Sequence, residues 1–339
     1  MKYIINKKQL IKTIKAFRIN AKIYYPLKVN TDKTLLEIID PFIRGYEVES
    51  YYQAVMLIME MKVDPKRVLF SSPLLTNART IDKLLSLQIV NYAVDDVTIC
   101  KSIIQRGTGL GLKFLLRLDI NKVVETDNIQ LKWGASLNDI CHMAKQIEES
   151  GYTFLGVSYY LPQEVASLEN HIKVLNYIAK NIKDIKYLDI GGGIKPSDVK
   201  SIKKTVESSF NEAPVILVEP GRHLLNPSID LVVKIVSIRK KQEKKLLFID
   251  CGIYSGLIDC IVKKRSFKIK ALSENNNKFT DYLVCGDTSD ISDIIGVYSL
   301  PFDLRIGDEL IIKECGAYCS EMDTNFCENK RANYIIVDS

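Results

Sequence analysis

Eight short apolar runs recur between residues 22 and 219, and most are separated by a segment whose apolar residues fall at helical spacing. The runs lie at 22–27, 45–48, 68–71, 89–94, 113–119, 153–159, 185–190 and 215–218. Helices are expected at 31–39, 51–61, 76–87, 136–150 and 163–182. Ala54, Leu57, Ile58 and Met61 share one side of the second segment, and Ile81, Leu84 and Leu85 one side of the third. In 136–150, Leu137, Ile140, Met143 and Ile147 repeat at helical intervals. Apolar residues at i, i+3, i+4 and i+7 line one face of a helix. Eight alternations of strand and helix over about 200 residues are the pattern of an α/β chain closed into a (β/α)8, TIM-type barrel. An open doubly wound sheet alternates too, but usually with fewer repeats.

After residue 219 the pattern changes. Runs at 229–240, 245–251, 258–272, 282–285 and 309–314 read as strands with little helix between them. Sequential strands without crossover helices imply a mostly antiparallel β domain, a sandwich or small barrel. The expected division is therefore a barrel at 16–228 and a β domain at 229–339. Residues 1–8 are β-prone, and 1–15 can join either part.

Of the 339 residues 47% are hydrophobic and the formal net charge is +6, which excludes a disordered chain. No stretch approaches the ~20 apolar residues of a membrane helix, and residues 1–8 lack a signal-peptide core. Eight cysteines without a CxxC pair indicate neither a disulfide framework nor a zinc site, so a reduced, cytoplasmic setting is expected. Three histidines, His142, His171 and His223, argue against histidine-rich metal chemistry, and no metal is expected. The basic excess is local. Eleven Lys and Arg between 234 and 270 face only Glu243, Asp250 and Asp259, which leaves the rest of the chain slightly acidic. The simplest account is a solvated hairpin at 239–245 and an exposed strand. No nucleic-acid motif or aromatic interleaving accompanies the block.

Three segments can carry chemistry. Asp189-Ile190-Gly191-Gly192-Gly193 places three glycines directly after a strand, where a backbone without Cβ atoms can turn sharply and bring N–H groups to an anion. Late in a barrel's strand order this suggests a phosphate cradle; a tight strand–helix turn would look the same. Glu219-Pro220-Gly221-Arg222 follows the next strand and combines a strand-end acid with a phosphate-binding guanidinium, or simply pairs the two ions. Lys28, in Tyr25-Pro26-Leu27-Lys28-Val29-Asn30, ends the first barrel run among apolar neighbours. Desolvation there would lower its pKa and favour Schiff-base chemistry.

In that order, the lysine, the Asp-Ile-Gly-Gly-Gly and the Glu-Pro-Gly-Arg resemble the pyridoxal-phosphate-dependent, fold type III (alanine-racemase-like) amino-acid decarboxylases. The family includes ornithine, diaminopimelate, arginine and carboxynorspermidine decarboxylases. Asp250-Cys251-Gly252, Cys285-Gly286-Asp287-Thr288-Ser289-Asp290 and Cys315-Gly316-Ala317-Tyr318 extend the likeness over nearly the whole chain. The resemblance implies that pyridoxal 5'-phosphate is held on Lys28 as a Schiff base and that Glu219 pairs with the pyridine nitrogen. Gly191, Gly192, Gly193, Gly221, Arg222 and Tyr318 would hold the phosphate. Arg117 would line the pocket from the fifth barrel strand, Glu47 stands where relatives often carry Asp, and Phe326 matches an aromatic on the substrate side. A homodimer with shared active sites is implied, with Asp290 and Tyr318 acting across its interface.

Three features depart from the family pattern. The cysteine that reprotonates the α-carbon becomes Ser289, a far weaker acid, and Cys285 lies four residues too early. The histidine that stacks on the ring becomes Tyr160, and a phosphate-binding serine becomes Gln163. The aspartate that holds a distal amine in ornithine-type enzymes becomes Lys263, within Val262-Lys263-Lys264-Arg265; a diaminopimelate-type arginine is missing near Ile258. These changes point to a substrate with an anionic distal group, unless Lys263 and Lys264 simply face water. The leading expectation is an amino-acid decarboxylase. A non-catalytic regulatory homologue is motivated by Ser289 and Tyr160. A racemase is disfavoured by Glu219, because racemases of this fold often place arginine there.

Overall fold

The structure is a computed structural model that describes residues 1–124, 132–162, 164–272, 278–328 and 332–338. Gln163 lies outside the described residues. The chain divides into two compact units. One comprises Ile14–Leu27 and Ile39–His223, the other Met1–Thr13, Lys28–Ile38 and Leu224–Ser339.

The chain opens on β1 (Lys2–Asn6). The first unit is then built on β2 (Lys22–Pro26), β3 (Gly45–Val48), β4 (Val68–Phe70), β5 (Asn91–Val94), β6 (Lys113–Arg117), β7 (Thr153–Ser158), β8 (Tyr187–Asp189) and β9 (Val215–Val218). These eight strands are parallel and close into a barrel, with β9 returning to β2 through Lys22 opposite Leu217. The expected α/β barrel is therefore present, and every expected strand position carries one of its strands. Leu69, Leu115 and Leu217 form a buried cluster with Tyr24, Ala93, Leu155 and Tyr187 packed against it. The cluster draws on seven of the eight strands, so the barrel is filled rather than hollow.

Two helices expected from their spacing bury the predicted faces. Ala78–Ser86 buries Ile81, Leu84 and Leu85, and Leu137–Glu149 buries Ile140, Met143 and Ile147. Each starts at a side-chain cap, Asn77 and Ser136 respectively, which satisfies amide groups the first turn leaves without helical partners. The segment 51–61 departs from expectation. It is helical only over Tyr51–Val55 and then widens into a π turn at Met56–Glu60, closed by Met61 N–H on Met56 O. Helices Val97–Arg106 and Pro196–Ser209 complete the alternation where spacing had not indicated them.

The second unit is a mostly antiparallel sheet. β10 (Ile229–Lys241), β11 (Lys244–Ile249), β12 (Ile269–Ala271), β13 (Phe279–Cys285), β14 (Ile294–Pro301), β15 (Glu309–Ile312) and β16 (Asn333–Val337) follow the barrel in sequence. The order is β12-β15-β10-β11-β13-β14, with β1 between β10 and β16. The N-terminal strand thus belongs to the sheet, antiparallel to β10 and parallel to β16. The expected strand at 258–272 is not formed. Residues Asp259–Val262 make one helical turn, Asp259 O accepts from both Lys263 and Arg265, and only Ile269–Ala271 is extended. Residues 239–245 form the exposed tip of the β10–β11 hairpin, with Lys241 opposite Lys244. No helix among the described residues is long and apolar enough to cross a membrane.

Within the barrel unit, His171 shares a 2.9 Å hydrogen bond with the hydroxyl of the fully buried Tyr159. Burial lowers the histidine's pKa to about 4. A histidine held neutral when folded contributes stability above its unfolded pKa near 6.5, and loses it as pH falls toward 4. Urea unfolding should show a decline of about 3 kcal/mol over that window from this residue. His171→Gln should flatten the curve relative to the parent; an identical pH slope in the variant would contradict the assignment.

Candidate active site

Side chains along a strand alternate between faces, so the layer above the buried leucines is found two residues on. Tyr24, Leu69, Leu115, Tyr187 and Leu217 point into the barrel. The next inward positions toward the carboxyl ends include Arg117, Asp189 and Glu219. Glu47 joins them, because it lies two residues after Gly45, the β-partner of Tyr24. These groups act on one another's charge. Burial raises the Asp189 carboxyl to about 6, and the charge on Glu47 pushes the same way. Hydrogen bonds that Asp189 accepts from the Gly191 amide and from Glu219, and the charge of Arg117, pull against that rise. Asp95, just past β5, is also raised by burial and is drawn down by the Gly134 amide and by Arg117. The barrel's carboxyl end therefore carries Glu47, Asp95, Asp189 and Glu219 around one arginine, and this layer favours a cation.

The turn after β8 is held by the end of its own strand and by the residue that follows β9. Gly191 N–H donates to Asp189 Oδ1 at 2.9 Å, and Gly191 O accepts from Glu219 N–H at 2.9 Å. Gly191 and Gly193 have φ of +66° and +81°, a region side chains rarely adopt. A Cβ on Gly192 would lie 2.7 Å from Glu219 O. Beyond Glu219, Gly221 is buried and Arg222 opens the short helix Arg222–Leu225. His223 is hydrogen-bonded to the Gly193 backbone, and burial, then the charge of Lys195, lower its pKa. The glycine turn and Lys195 thus lie about His223, and Arg222 precedes it in the chain; basic groups and backbone amides of this kind suit an anion. Tyr160 is 43% exposed; its ring lies 5.9 Å from the Arg117 guanidinium and would contact a Cβ on Gly191 at 3.5 Å. An aromatic face is thus presented between the anion-binding turn and the carboxylate layer.

The second unit brings together other candidates. Lys28 is half-buried in the 3-10 turn Leu27–Val29. Tyr318 N–H donates to Val29 O at 2.8 Å, and Asn30 Nδ2 donates to Gly316 O at 3.0 Å. Lys28 and Tyr318 are thus carried on two segments bonded to each other, and Tyr318 is held at a φ of +65°. Ser289 is exposed, and Asp290 Oδ1 accepts from Ser292 N–H at 2.7 Å. That bond, with one to Tyr254, keeps the Asp290 carboxyl below its ordinary value. The Tyr254 ring packs against Phe326 at a tilt of 43° with centroids 4.7 Å apart, so it joins two expected substrate-side residues. Lys263 is exposed at the end of helix Asp259–Val262. Arg265 is turned away onto Glu314 O, Asp259 and the Phe267 ring. Cys285, the thiol nearest Ser289 in sequence, is buried, and burial raises its pKa.

The family model described as "Pyridoxal-dependent decarboxylase, pyridoxal binding domain" matches residues 4–226. The chain belongs to this family. It is 20% identical to the lysine/ornithine decarboxylase of Selenomonas ruminantium, over 90% of this chain and 81% of that protein. It is 23% identical to the ornithine decarboxylase of Schizosaccharomyces pombe, over 93% and 78%. Among solved structures, the arginine decarboxylase of Paramecium bursaria Chlorella virus superposes with a TM-score of 0.87 at 19% identity, covering 99% of this chain and 96% of that one. A structure of SrLDC bound to PLP and cadaverine superposes at 0.86, with 19% identity and coverage of 99% and 90%.

The family's cofactor fits the residues present: an anion-binding glycine turn, an exposed aromatic ring and a carboxylate layer suited to a protonated ring nitrogen. Asp189, Asp95 and Tyr254 were missed as site residues. Asp189 is written inside the glycine motif, and Asp95 follows a strand end, so both carried a positional signal; Tyr254 carried none. Gly192→Ala should drive its methyl into Glu219 O, lower stability by about 1–3 kcal/mol and weaken cofactor affinity at least about tenfold. Fluorescence titration with pyridoxal phosphate reads the second effect, and parental affinity in a folded variant would contradict the cradle.

Proposed function

We propose that the chain releases CO2 from the α-carbon of an amino acid, using pyridoxal phosphate carried on Lys28. The observation that carries this reading is the layer of Glu47, Asp189, Glu219 and Arg117 beneath the glycine turn. It suits a ring whose nitrogen must stay protonated and whose phosphate sits a few ångströms away. When bound, the cofactor supplies an electron sink for the pair left at the α-carbon. Glu219 would accept a hydrogen bond from the protonated ring nitrogen. The Gly192 and Gly193 amides, Gly221, Arg222 and Tyr318 would hold the phosphate, and the Tyr160 ring would pack on the cofactor. Ser289 would relay a proton from solvent to the α-carbon, its exposed hydroxyl taking one proton from water as it gives one up, with Asp290 holding the loop beside it. The reading includes a homodimer, in which the exposed loop at 286–291 serves the barrel of a second copy, and a reduced, cytoplasmic setting. Support for the former is Ile291, 90% exposed beside Asp290; for the latter, eight free thiols.

At its distal end the substrate carries an anionic group in this reading, supported by the exposed Lys263 and Lys264. A second reading is favoured by Asp290, held ionised beside Tyr254 and Phe326, which suits a cationic distal end. Initial rates of CO2 release from carboxyl-labelled amino acids separate them. The anionic reading expects acid-bearing substrates to exceed ornithine, lysine and arginine at least about tenfold in kcat/KM; the reverse order establishes the second.

Lys28→Ala should abolish the visible absorbance of bound cofactor together with CO2 release. Unchanged absorbance in the variant would remove Lys28 from this role. Exchange of the α-proton in D2O without CO2 release would replace decarboxylation by racemase chemistry.

A further inference from the structure

Asp293 is 2% exposed and lies outside every segment assigned so far. Its Oδ1 accepts from Ile253 N–H at 2.7 Å, and its Oδ2 accepts from Thr288 Oγ1 at 2.6 Å and Thr288 N–H at 3.3 Å. Two glycines make room for it. A Cβ on Gly252 or on Gly286 would collide with the carboxylate. Its backbone completes the closure: Gly286 N–H donates to Asp293 O at 3.0 Å, and Asp293 N–H donates to Asp290 O at 3.2 Å. One buried carboxylate therefore fastens the loop after β11 to the loop after β13. The first loop carries Tyr254, the second Ser289 and Asp290. The two loops meet again outside the clamp, where Tyr254 hydrogen-bonds Asp290; its ring also packs, tilted by 43°, against Phe326 of a later segment. Thr324 N–H and its hydroxyl both bond Tyr254 O at 2.9 Å, fixing that segment against Tyr254.

A buried carboxylate with donors on both oxygens is strained to replace. Asparagine keeps the shape but turns one acceptor into a donor, which faces a donor already there. Nothing in the sheet itself needs this contact, because β11 and β13 already pair through their backbones. What the carboxylate adds is the register between two loops 40 residues apart in sequence.

We propose that Asp293 is a positioning residue that sets Tyr254 against Ser289 and Asp290, so that the three meet the substrate as one constellation. The inference rests on the decarboxylase reading above and names the group that orients its proton-delivering loop. Groups held to within a fraction of an ångström by such supports are those whose loss lowers turnover without touching the chemistry directly.

The test is a double-mutant cycle on the full-length, cofactor-loaded protein with the best substrate found. Asp293→Asn should lower kcat/KM ten- to hundredfold, mostly in kcat, with cofactor absorbance unchanged. Thr288→Val, a milder change that removes one bond, should give a smaller loss in the same direction and covers failure of the first variant to fold. In the Tyr254→Phe background, Asp293→Asn should cost less than threefold more, because the constellation is already broken. Amide hydrogen exchange gives a second readout that needs no turnover. Exchange at 250–257 and 286–290 should accelerate at least tenfold in Asp293→Asn, while the barrel strands stay protected. Fully multiplicative losses in the cycle, or parental kcat/KM in Asp293→Asn and Thr288→Val, would overturn the proposal. If the parent releases no CO2 from any amino acid, the decarboxylase reading fails by itself. Unchanged exchange in the two loops would then overturn the clamp separately.

Discussion

Arg117 stands among carboxylates at one end of a closed barrel, and the placement of the candidate site follows from that ionic layer. Removing charges from water is expensive unless each finds partners. Here Asp189 takes a backbone amide and a neighbouring carboxyl, Asp95 takes the Gly134 amide, and both feel the arginine. The surplus of negative charge persists because the inward positions of β3, β6, β8 and β9 above the leucine cluster are all committed to ionisable groups. A layer of this kind contributes little to stability. Its effect is to select what binds: a protonated ring nitrogen and an ammonium group are favoured over neutral or anionic ones. The same strand ends feed the glycine turn and Arg222, which favour the opposite charge. The two preferences lie a few residues apart along β8 and β9, and that separation matches a cofactor with a basic nitrogen at one end and a phosphate at the other.

The sheet unit contributes a different kind of order. Its candidate groups sit on loops rather than on strands. Each loop is fastened by a buried polar residue: Asn30 for the turn after Lys28, Asp293 for the loops carrying Tyr254 and Asp290. Loops tolerate varied residues at their tips while their anchors stay fixed. Ser289 and Lys263 both stand at such exposed positions, where a change of side chain leaves the anchors untouched.

Much of the barrel was legible in the sequence. The runs at 45–48 and 215–218 coincide with β3 and β9 to the residue; β9 reads as an unbroken apolar run after Pro214, whereas β3, which carries Gly45 and Glu47, is bounded by the polar residues on either side of it. Helix Val97–Arg106 was not legible, since Val97, Thr98, Ile99, Ile103 and Ile104 are β-branched; Asp96 as a cap and burial of Ile99, Cys100, Ile103 and Ile104 decide for helix. At 258–272 the same bias worked the other way. Ile258, Ile261 and Val262 suggest a strand, but backbone bonds from Lys263 and Arg265 to Asp259 close a turn instead. For the site, the motifs at strand ends gave the barrel residues directly. Tyr254 and Asp293 could not be read, because their contacts join loops whose proximity only the folded sheet creates.

In the proposed function the glycine turn, Glu219 and Lys28 serve one cofactor, and a crystal structure of the protein grown with pyridoxal phosphate would decide it. The phosphate is expected on the Gly192 and Gly193 amides and Arg222, the ring nitrogen on Glu219, and continuous density from the cofactor to Lys28 Nζ. A phosphate bound elsewhere, or a covalent link to a different lysine, would contradict it.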